Sequence, residues 1–361
     1  MREMTVNARM IRNCSVERTL TIVSDTWTFL VLREFYLGAR RFDQIQRVLG
    51  VPRSTLSSRL AALAEHDVIA KVPDPERNNR HEYRLTERGR ELYLVMLSLL
   101  RFGDRHLHGG APVPLRLTHR TCGHVFQPET ACSACRANIE ATEVTYRDGP
   151  GAGTSPAPVQ AQRRRRGEPG AFERSRPSSV SRTLEIIADR WTFLILRELF
   201  LGSRRFDQFG AQLGVASAIL ATRLNRLTKA GIIRRSKYQD LPERFEYRLT
   251  TIGRDLYLPM IQMLHWGDRW LGHPAPMILT HQTCGQDFVP QIVCSCCRED
   301  IVAHDVRYDL NYALASPDDA ASARTPQNTI LNNSSPNERA KFESNPADPT
   351  IGSSRRRRAT R

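Results

Sequence analysis

The sequence has no long apolar run. Nothing in its 361 residues approaches the ~20 consecutive apolar positions that a membrane-spanning helix needs. The opening stretch, Met1-Arg-Glu-Met-Thr-Val-Asn7, carries none of the apolar core of a secretory leader. The expectation is a cytoplasmic protein with no membrane partner. Acidic residues are scarce beside basic ones, 38 against 53, which leaves a net charge of +15 and a pI near 10. Such an excess points to a polyanionic partner, most simply nucleic acid. Two arginine runs, Arg163 to Arg166 and Arg355 to Arg358, carry eight of those charges, and the remaining +7 is still basic. Also missing are a phosphate-cradling glycine loop, a nucleophile elbow and a paired-histidine metalloprotease helix. The chain reads as a non-enzyme.

What it does have is a copy of itself. Trp27-Thr-Phe-Leu30 returns 164 residues later as Trp191-Thr-Phe-Leu194, and Glu82-Tyr-Arg-Leu-Thr86 as Glu246-Tyr-Arg-Leu-Thr250. Gly103-Asp-Arg105 matches Gly267-Asp-Arg269; a two-residue deletion then aligns Thr118-His119 with Thr280-His281. The repeat is roughly 135 residues long, the size of a domain rather than a solenoid unit.

Within a unit, Val16, Leu20 and Val23 predict a first helix, and Trp27, Leu30, Val31 and Phe35 a second that Gly38 closes. Arg40 to Leu60 then reads as a short amphipathic helix, a Gly50-Val51-Pro52 turn, and a helix with Leu56, Leu60 and Leu63 on one face, which is a helix-turn-helix. The pattern recurs at Arg204 to Leu224. Two strand-like runs, Val68 to Val72 and His81 to Leu85, flank a turn-rich segment and predict a wing. Thr86 caps a long helix with Leu92, Val95, Met96, Leu99 and Leu100 on its apolar stripe, which suits either the core of the unit or a dimer surface.

The exposed face of the first recognition helix offers Arg53, Ser54, Thr55, Ser57, Ser58 and Arg59; the second offers Ser217, Ala218, Ile219, Ala221, Thr222 and Arg223. Arginine reads guanine through two hydrogen bonds, Ser and Thr touch bases or phosphates, and Ala meets thymine methyls. The first head therefore carries more of the expected base specificity. For Arg59 and Arg223 a second reading stands beside this one: phosphate contact, or bracing of a neighbouring helix. Wing residues Arg77, Arg80 and Arg244 suit backbone or minor-groove contacts.

Six of the eight cysteines fall into matched groups, His119-x2-Cys122-x9-Cys132-x2-Cys135 and His281-x2-Cys284-x9-Cys294-x2-Cys297. Two short ligand pairs separated by a loop suit a tetrahedral zinc ribbon, and Gly123 and Gly285 permit the tight turn after the first Cys. The duplication selects the ligands: His124 becomes Gln286 in the second unit, and Cys296 faces Ala134 in the first. One structural zinc per half, in a Cys3His site, is the expectation, with free thiols or a redox disulfide as the alternative.

These residues resemble the HxlR-type winged helix-turn-helix regulators of the MarR-like superfamily. The second half carries nearly the whole pattern: Trp191, Leu196-Arg-Glu-Leu199, Arg205-Phe206, Gly231, Pro242, Glu246-Tyr247, Thr250, Gly253 and Trp266-Gly267. The first half departs at Asp67, Asn78 and Phe102, where Asp67 tolerates the left-handed conformation of a helix end. The resemblance implies a dimer placing two recognition helices on a palindromic operator, here supplied by one chain; a further homodimer with four heads is the other arrangement. It also implies that Cys14, thirteen residues before Trp27, occupies the place of a sensing cysteine, as a redox sensor or as a small packed side chain; its counterpart is Ser178.

The expected fold class is mainly α with small β wings. Residues 1–110 form winged helix-turn-helix domain 1, 111–148 a zinc-ribbon-like module, and 149–176 a flexible linker rich in Arg, Pro and Gly. Residues 177–273 form domain 2, 274–309 a second zinc-ribbon-like module, and 310–361 a disordered basic tail. The linker would span about 30 Å, from ~5–6 Å times the square root of its length, against ~34 Å between adjacent half-sites. The expected function is a sequence-specific, double-stranded-DNA-binding transcriptional regulator of repressor type, nucleoid-associated, reading a pseudo-palindromic operator. The alternative is an architectural factor that recruits a protein partner through its zinc ribbons.

Overall fold

The computed structural model describes residues 10–23, 25–74, 80–110, 112–156, 177–187 and 189–312. Its first half runs β1 (Met10–Arg12), α1 (Ser15–Val23), α2 (Thr26–Tyr36), α3 (Phe42–Leu49), α4 (Arg53–Glu65), β2 (Ile69–Pro73), β3 (His81–Leu85) and α5 (Glu87–His106). There follow β4 (Leu115–His119), β5 (Pro128–Cys132), β6 (Val144–Asp148) and β7 (Thr154–Pro156). The second half repeats the order with α6 (Ser179–Ile187), α7 (Arg190–Phe200), α8 (Phe206–Leu213), α9 (Ser217–Lys229), β8 (Ile233–Gln239), β9 (Arg244–Leu249), α10 (Thr251–Arg254) and α11 (Tyr257–Trp270). It closes with β10 (Met277–His281), β11 (Gln286–Asp287), β12 (Pro290–Cys294) and β13 (Val306–Leu310). Among the described residues no helix is long and apolar enough to cross a membrane.

Local chemistry fixes these boundaries twice over. Asp25 and Asp189 cap α2 and α7 by accepting from the amides of Thr28 and Thr192 at 3.2 and 3.1 Å. Gln44 returns its carbonyl to the amides of Arg40 and Arg41, and Gln208 does the same for Arg204 and Arg205. Gly50 and Gly214 end α3 and α8 in the left-handed region, at φ 60° and 64°. Asp67 takes the same conformation, at φ 53°, that Gly231 takes in the second half. The long helix is the exception to the repetition: α5 is continuous, whereas its counterpart breaks between α10 and α11. Pro259 stands where the first half has Val95; it has no amide to return to the carbonyl of Asp255, and the helix restarts at Tyr257.

The apolar stripe of α5 faces the other half. Helix α1 packs on α11, α6 on α5, and α5 on α11, so each half's first helix lies against the other half's last. Matching hydrogen bonds mark the pseudo-two-fold. Thr19 Oγ1 donates to the carbonyl of Met263 at 2.8 Å and Thr183 Oγ1 to that of Leu99 at 2.9 Å. The hydroxyls of Ser15 and Ser179 donate to Asp268 and Asp104, and Phe29 stacks on Phe193 with centroids 6.5 Å apart. Buried charge is neutralised locally: Arg33 pairs with Glu34, and Arg197 with Glu198 and Glu17.

The segments 111–148 and 274–309 are not separate appendages, because their strands pair across the halves: β4 with β13, β5 with β12 and β6 with β10, all antiparallel. The segment 149–176 is not flexible from its start. Gly149 and Gly151 donate to the carbonyls of Pro276 and Ala275, and β7 pairs with β1. The rest of that segment, 157–176, and the tail beyond 312, with both arginine runs, lie outside the described residues.

A Cβ added at Gly103 would meet the carbonyl oxygen of Ser179 at 2.2 Å, and one at Gly267 would lie 2.6 Å from that of Ser15. Gly103→Ala and Gly267→Ala are each expected to destabilise the fold by about 1–3 kcal/mol, read by denaturant unfolding. Burial raises the Asp104 carboxyl to about 6, against the opposing pull of Ser179 and Arg182, and raises Asp268 as well. A carboxyl raised in the folded state keeps its proton where the unfolded chain has lost it, so stability falls as pH rises from about 4 to about 6 and levels off above. Asp104→Asn should flatten that decline, seen in unfolding midpoints across the same range.

Candidate nucleic-acid interface and metal centre

The recognition helix α4 buries Leu56, Leu60 and Leu63 and turns Arg53, Ser54, Ser57 and Ser58 to solvent, with Thr55 half-buried. Arg53 stacks over the Phe42 ring at 5.0 Å and donates to Gln46 at 3.3 Å, so its guanidinium is preset at the start of the helix. Arg59 is held elsewhere: its Nε lies 3.0 Å from Oδ1 of Asp25, the residue that caps α2. In α9, Ser217, Ala218 and Thr222 are exposed and Ile219 and Ala221 half-buried, and Thr222 returns its hydroxyl to the carbonyl of Ala218. Arg223 repeats the ion pair of Arg59, at 2.7 Å from Asp189. Both arginines thus brace the recognition helix against a capping residue, at the N-terminus of α2 in the first half and of α7 in the second.

The wings are the hairpins β2–β3 and β8–β9. Arg80 and Arg244 are exposed on them, and Arg77 lies outside the described residues. Lys71, Arg234, Arg235 and Lys237, not among the residues singled out from the sequence, are exposed on the same wings. The available signal was composition: the run Ile233-Arg-Arg-Ser-Lys237 puts three basic residues just after buried Ile233, and all three are exposed. Of these, Arg235 lies over the Phe245 ring and Lys237 pairs with Asp240 and Glu243.

Cys14 is buried just before α1 and, with Arg197, Phe200, Tyr257 and Met260, lines a cavity of about 240 Å³. Burial would lower the Arg197 guanidinium, but Cys14, Glu198 and Glu17 around it hold it above its ordinary value.

The predicted metal ligands do come together, but not half by half. His119 and Cys122 meet Cys294 and Cys297, and His281 and Cys284 meet Cys132 and Cys135; within each group the ligand atoms all lie within 4.8 Å. This corrects the expectation of one site built within each half. The reason is strand register: antiparallel β5 and β12 set Cys132 opposite Pro290 and Cys294 opposite Pro128, so the two Cys-x2-Cys turns sit at opposite ends of the ribbon. The Ser133 amide donates to the carbonyl of Val289, and the Ser295 amide to that of Gln127. Each turn is thereby stitched beside the other half's first ligand pair.

The geometry suits a tetrahedral ion. His119 Nδ1 is 3.6 Å from Cys122 Sγ and 3.2 Å from Cys297 Sγ, and Cys122 Sγ is 3.9 Å from Cys294 Sγ. In the second group His281 Nδ1 is 3.6 Å from Cys284 Sγ and 3.4 Å from Cys135 Sγ, and Cys132 Sγ is 4.0 Å from Cys284 Sγ. Bonds of ~2.3 Å to sulfur and ~2.0–2.1 Å to nitrogen give tetrahedral edges of about 3.5–3.8 Å. Sulfurs 3.9–4.0 Å apart are not disulfide-bonded. Both histidines are fully buried. The amide of His124 holds the Cys122 thiol down at about 6 and that of Ala137 holds Cys135 at about 7, which favours the thiolate a metal needs. Burial pushes Cys132 and Cys297 up. Cys296, which is exposed, and His124 both lie outside the two groups. Arg136 and Arg298, which no sequence motif marks, each donate to the other's carbonyl at 2.6 Å across the ribbon.

The model of the HxlR-like helix-turn-helix family matches residues 22–110 and again 186–275. An HTH-type transcriptional regulator of Mycobacterium tuberculosis is 45% identical over 137 residues, 38% of this chain and 87% of that relative. Another, from Synechocystis, is 37% identical over 101 residues, covering 28% of this chain and 75% of the relative. The solved structure of the redox regulator HypR in its reduced form is 32% identical and covers 25% of this chain and 91% of that one, with a TM-score of 0.24. The chain belongs to the HxlR-like helix-turn-helix family, carries that family's domain twice in tandem, and is a DNA-binding transcriptional regulator.

Proposed function

We propose that one chain acts as a covalent pseudo-dimer, a repressor that reads a pseudo-palindromic operator with two unequal heads. The observation that carries this is the exchange of α1 and α6 between halves, with the paired bonds of Thr19 and Thr183. It occupies, within one chain, the surface that two single-domain protomers would use to pair. The operating unit is therefore a single 41.1 kDa chain per operator, with no further homodimer required. The heads differ because α4 exposes Arg53, Ser54, Ser57 and Ser58 where α9 exposes Ser217, Ala218 and Thr222. Arg80 and Arg244 on the wings contact phosphate or the minor groove. The two Cys3His clusters hold structural zinc, since four protein donors leave no open position for catalysis. Cys14 serves as a packed side chain beside Arg197.

Footprinting of the full chain on its operator should show two half-sites of unequal sensitivity to base changes. Arg53→Ala should weaken binding by about 1–3 kcal/mol, roughly 5- to 150-fold, and relax base preference in one half-site only. Arg59→Ala should lower thermal stability without changing which bases are preferred. Two equally sensitive half-sites, or two chains per operator by native mass measurement, would contradict the reading. Cys14→Ser should leave release from DNA by the thiol oxidant diamide unchanged; loss of that response would establish Cys14 as the sensor instead.

A further inference from the structure

The exchanged ligand groups carry a consequence for assembly. Each group takes its His-x2-Cys pair from one half and its Cys-x2-Cys pair from the other. The ribbon they belong to is itself built across the halves and rests on the interface helices: Arg101 of α5 pairs with Glu129 of β5 at 3.0 Å, and Tyr308 of β13 donates to the carbonyl of Leu37 at 2.9 Å. A metal ion at either group would be bonded to both halves at once.

We propose that the chain binds two zinc ions as staples between its halves, each completed only by ligands from both repeats. This rests on the zinc reading given above. It differs from a duplicated zinc ribbon in one respect: neither repeat contains a complete site. The donor distances fit the edges of a zinc tetrahedron, and the ribbon register places the Cys-x2-Cys turns at opposite ends, beyond reach of their own half's histidine pair. The two ions fix the ribbon across the helix interface, and with it the relative placement of the heads.

The experiment is a set of paired cysteine substitutions in the full chain, with zinc measured by plasma mass spectrometry after dialysis against a chelator that leaves the unaltered protein loaded. The unaltered chain should carry about two ions, one for each group. Cys122→Ser with Cys294→Ser, or Cys135→Ser with Cys284→Ser, removes donors from a single shared site and should leave about one ion. Cys122→Ser with Cys132→Ser, or Cys284→Ser with Cys297→Ser, damages both shared sites and should leave almost none. The reverse pattern would show complete sites within each half and overturn the proposal while keeping zinc. An unaltered chain without zinc would overturn both. Should the variants not fold, the unaltered chain loaded with cadmium-113 answers the same question. One ion should couple to the β-protons of Cys122, Cys294 and Cys297, and the other to those of Cys132, Cys135 and Cys284; any grouping by half sinks the staple.

Discussion

The burial of each half's first helix against the other half's last helix is the constraint on which the molecule depends. Helices α1 and α6 have little to pack on within their own halves, and α5 and α11 present apolar faces that would otherwise meet water. Close approach requires that Gly103 and Gly267 carry no side chain, because the carbonyls of Ser179 and Ser15 occupy that space. Once the helices are exchanged, the heads are fixed to a common base, and the ribbon strands following α5 and α11 emerge side by side and pair across the axis.

Duplication has let the halves diverge where the shared base does not hold them. Glu17 lies against Arg197 and Arg190, whereas the equivalent Ser181 accepts from Arg33 through a hydroxyl. Tyr36 hydrogen-bonds the carbonyl of Gly89; its counterpart Phe200 has no hydroxyl and lines the cavity beside Cys14. Pro259 breaks a helix that is continuous in the first half. The N-caps, the αL turns and the ion pairs from α4 and α9 to the caps of α2 and α7 remain matched. These local devices set helix ends and orient the recognition helices, and a change in one half has no substitute in the other.

The sequence was most legible where information is local. Gly50 and Gly214 mark the turn of each helix-turn-helix because the left-handed conformation favours glycine there. Thr86 and Thr250 mark the starts of α5 and α10 because a hydroxyl satisfies an amide three residues on. Arg59 and Arg223 were only half legible: helical periodicity places them beside the exposed serines and alanines, but their bonds to Asp25 and Asp189 depend on how one helix lies across another. Arg136 and Arg298 gave no pattern at all, since their partners lie on the opposite repeat.

Legible in the sequence were the duplicated winged helix-turn-helix, its caps and turns, the cysteines and histidines that gather in the two clusters, and the poverty of polar groups on the second recognition helix. These follow from residue type and spacing within a few turns of chain. The folded chain alone shows that α1 and α6 change places, that the ribbons are one interleaved body, and that each Cys3His group draws on both repeats. Spacing within a repeat is identical whether a ligand pair meets its neighbour in sequence or that neighbour's copy. The choice is made by long-range strand register and by the helix exchange that brings the two copies into contact.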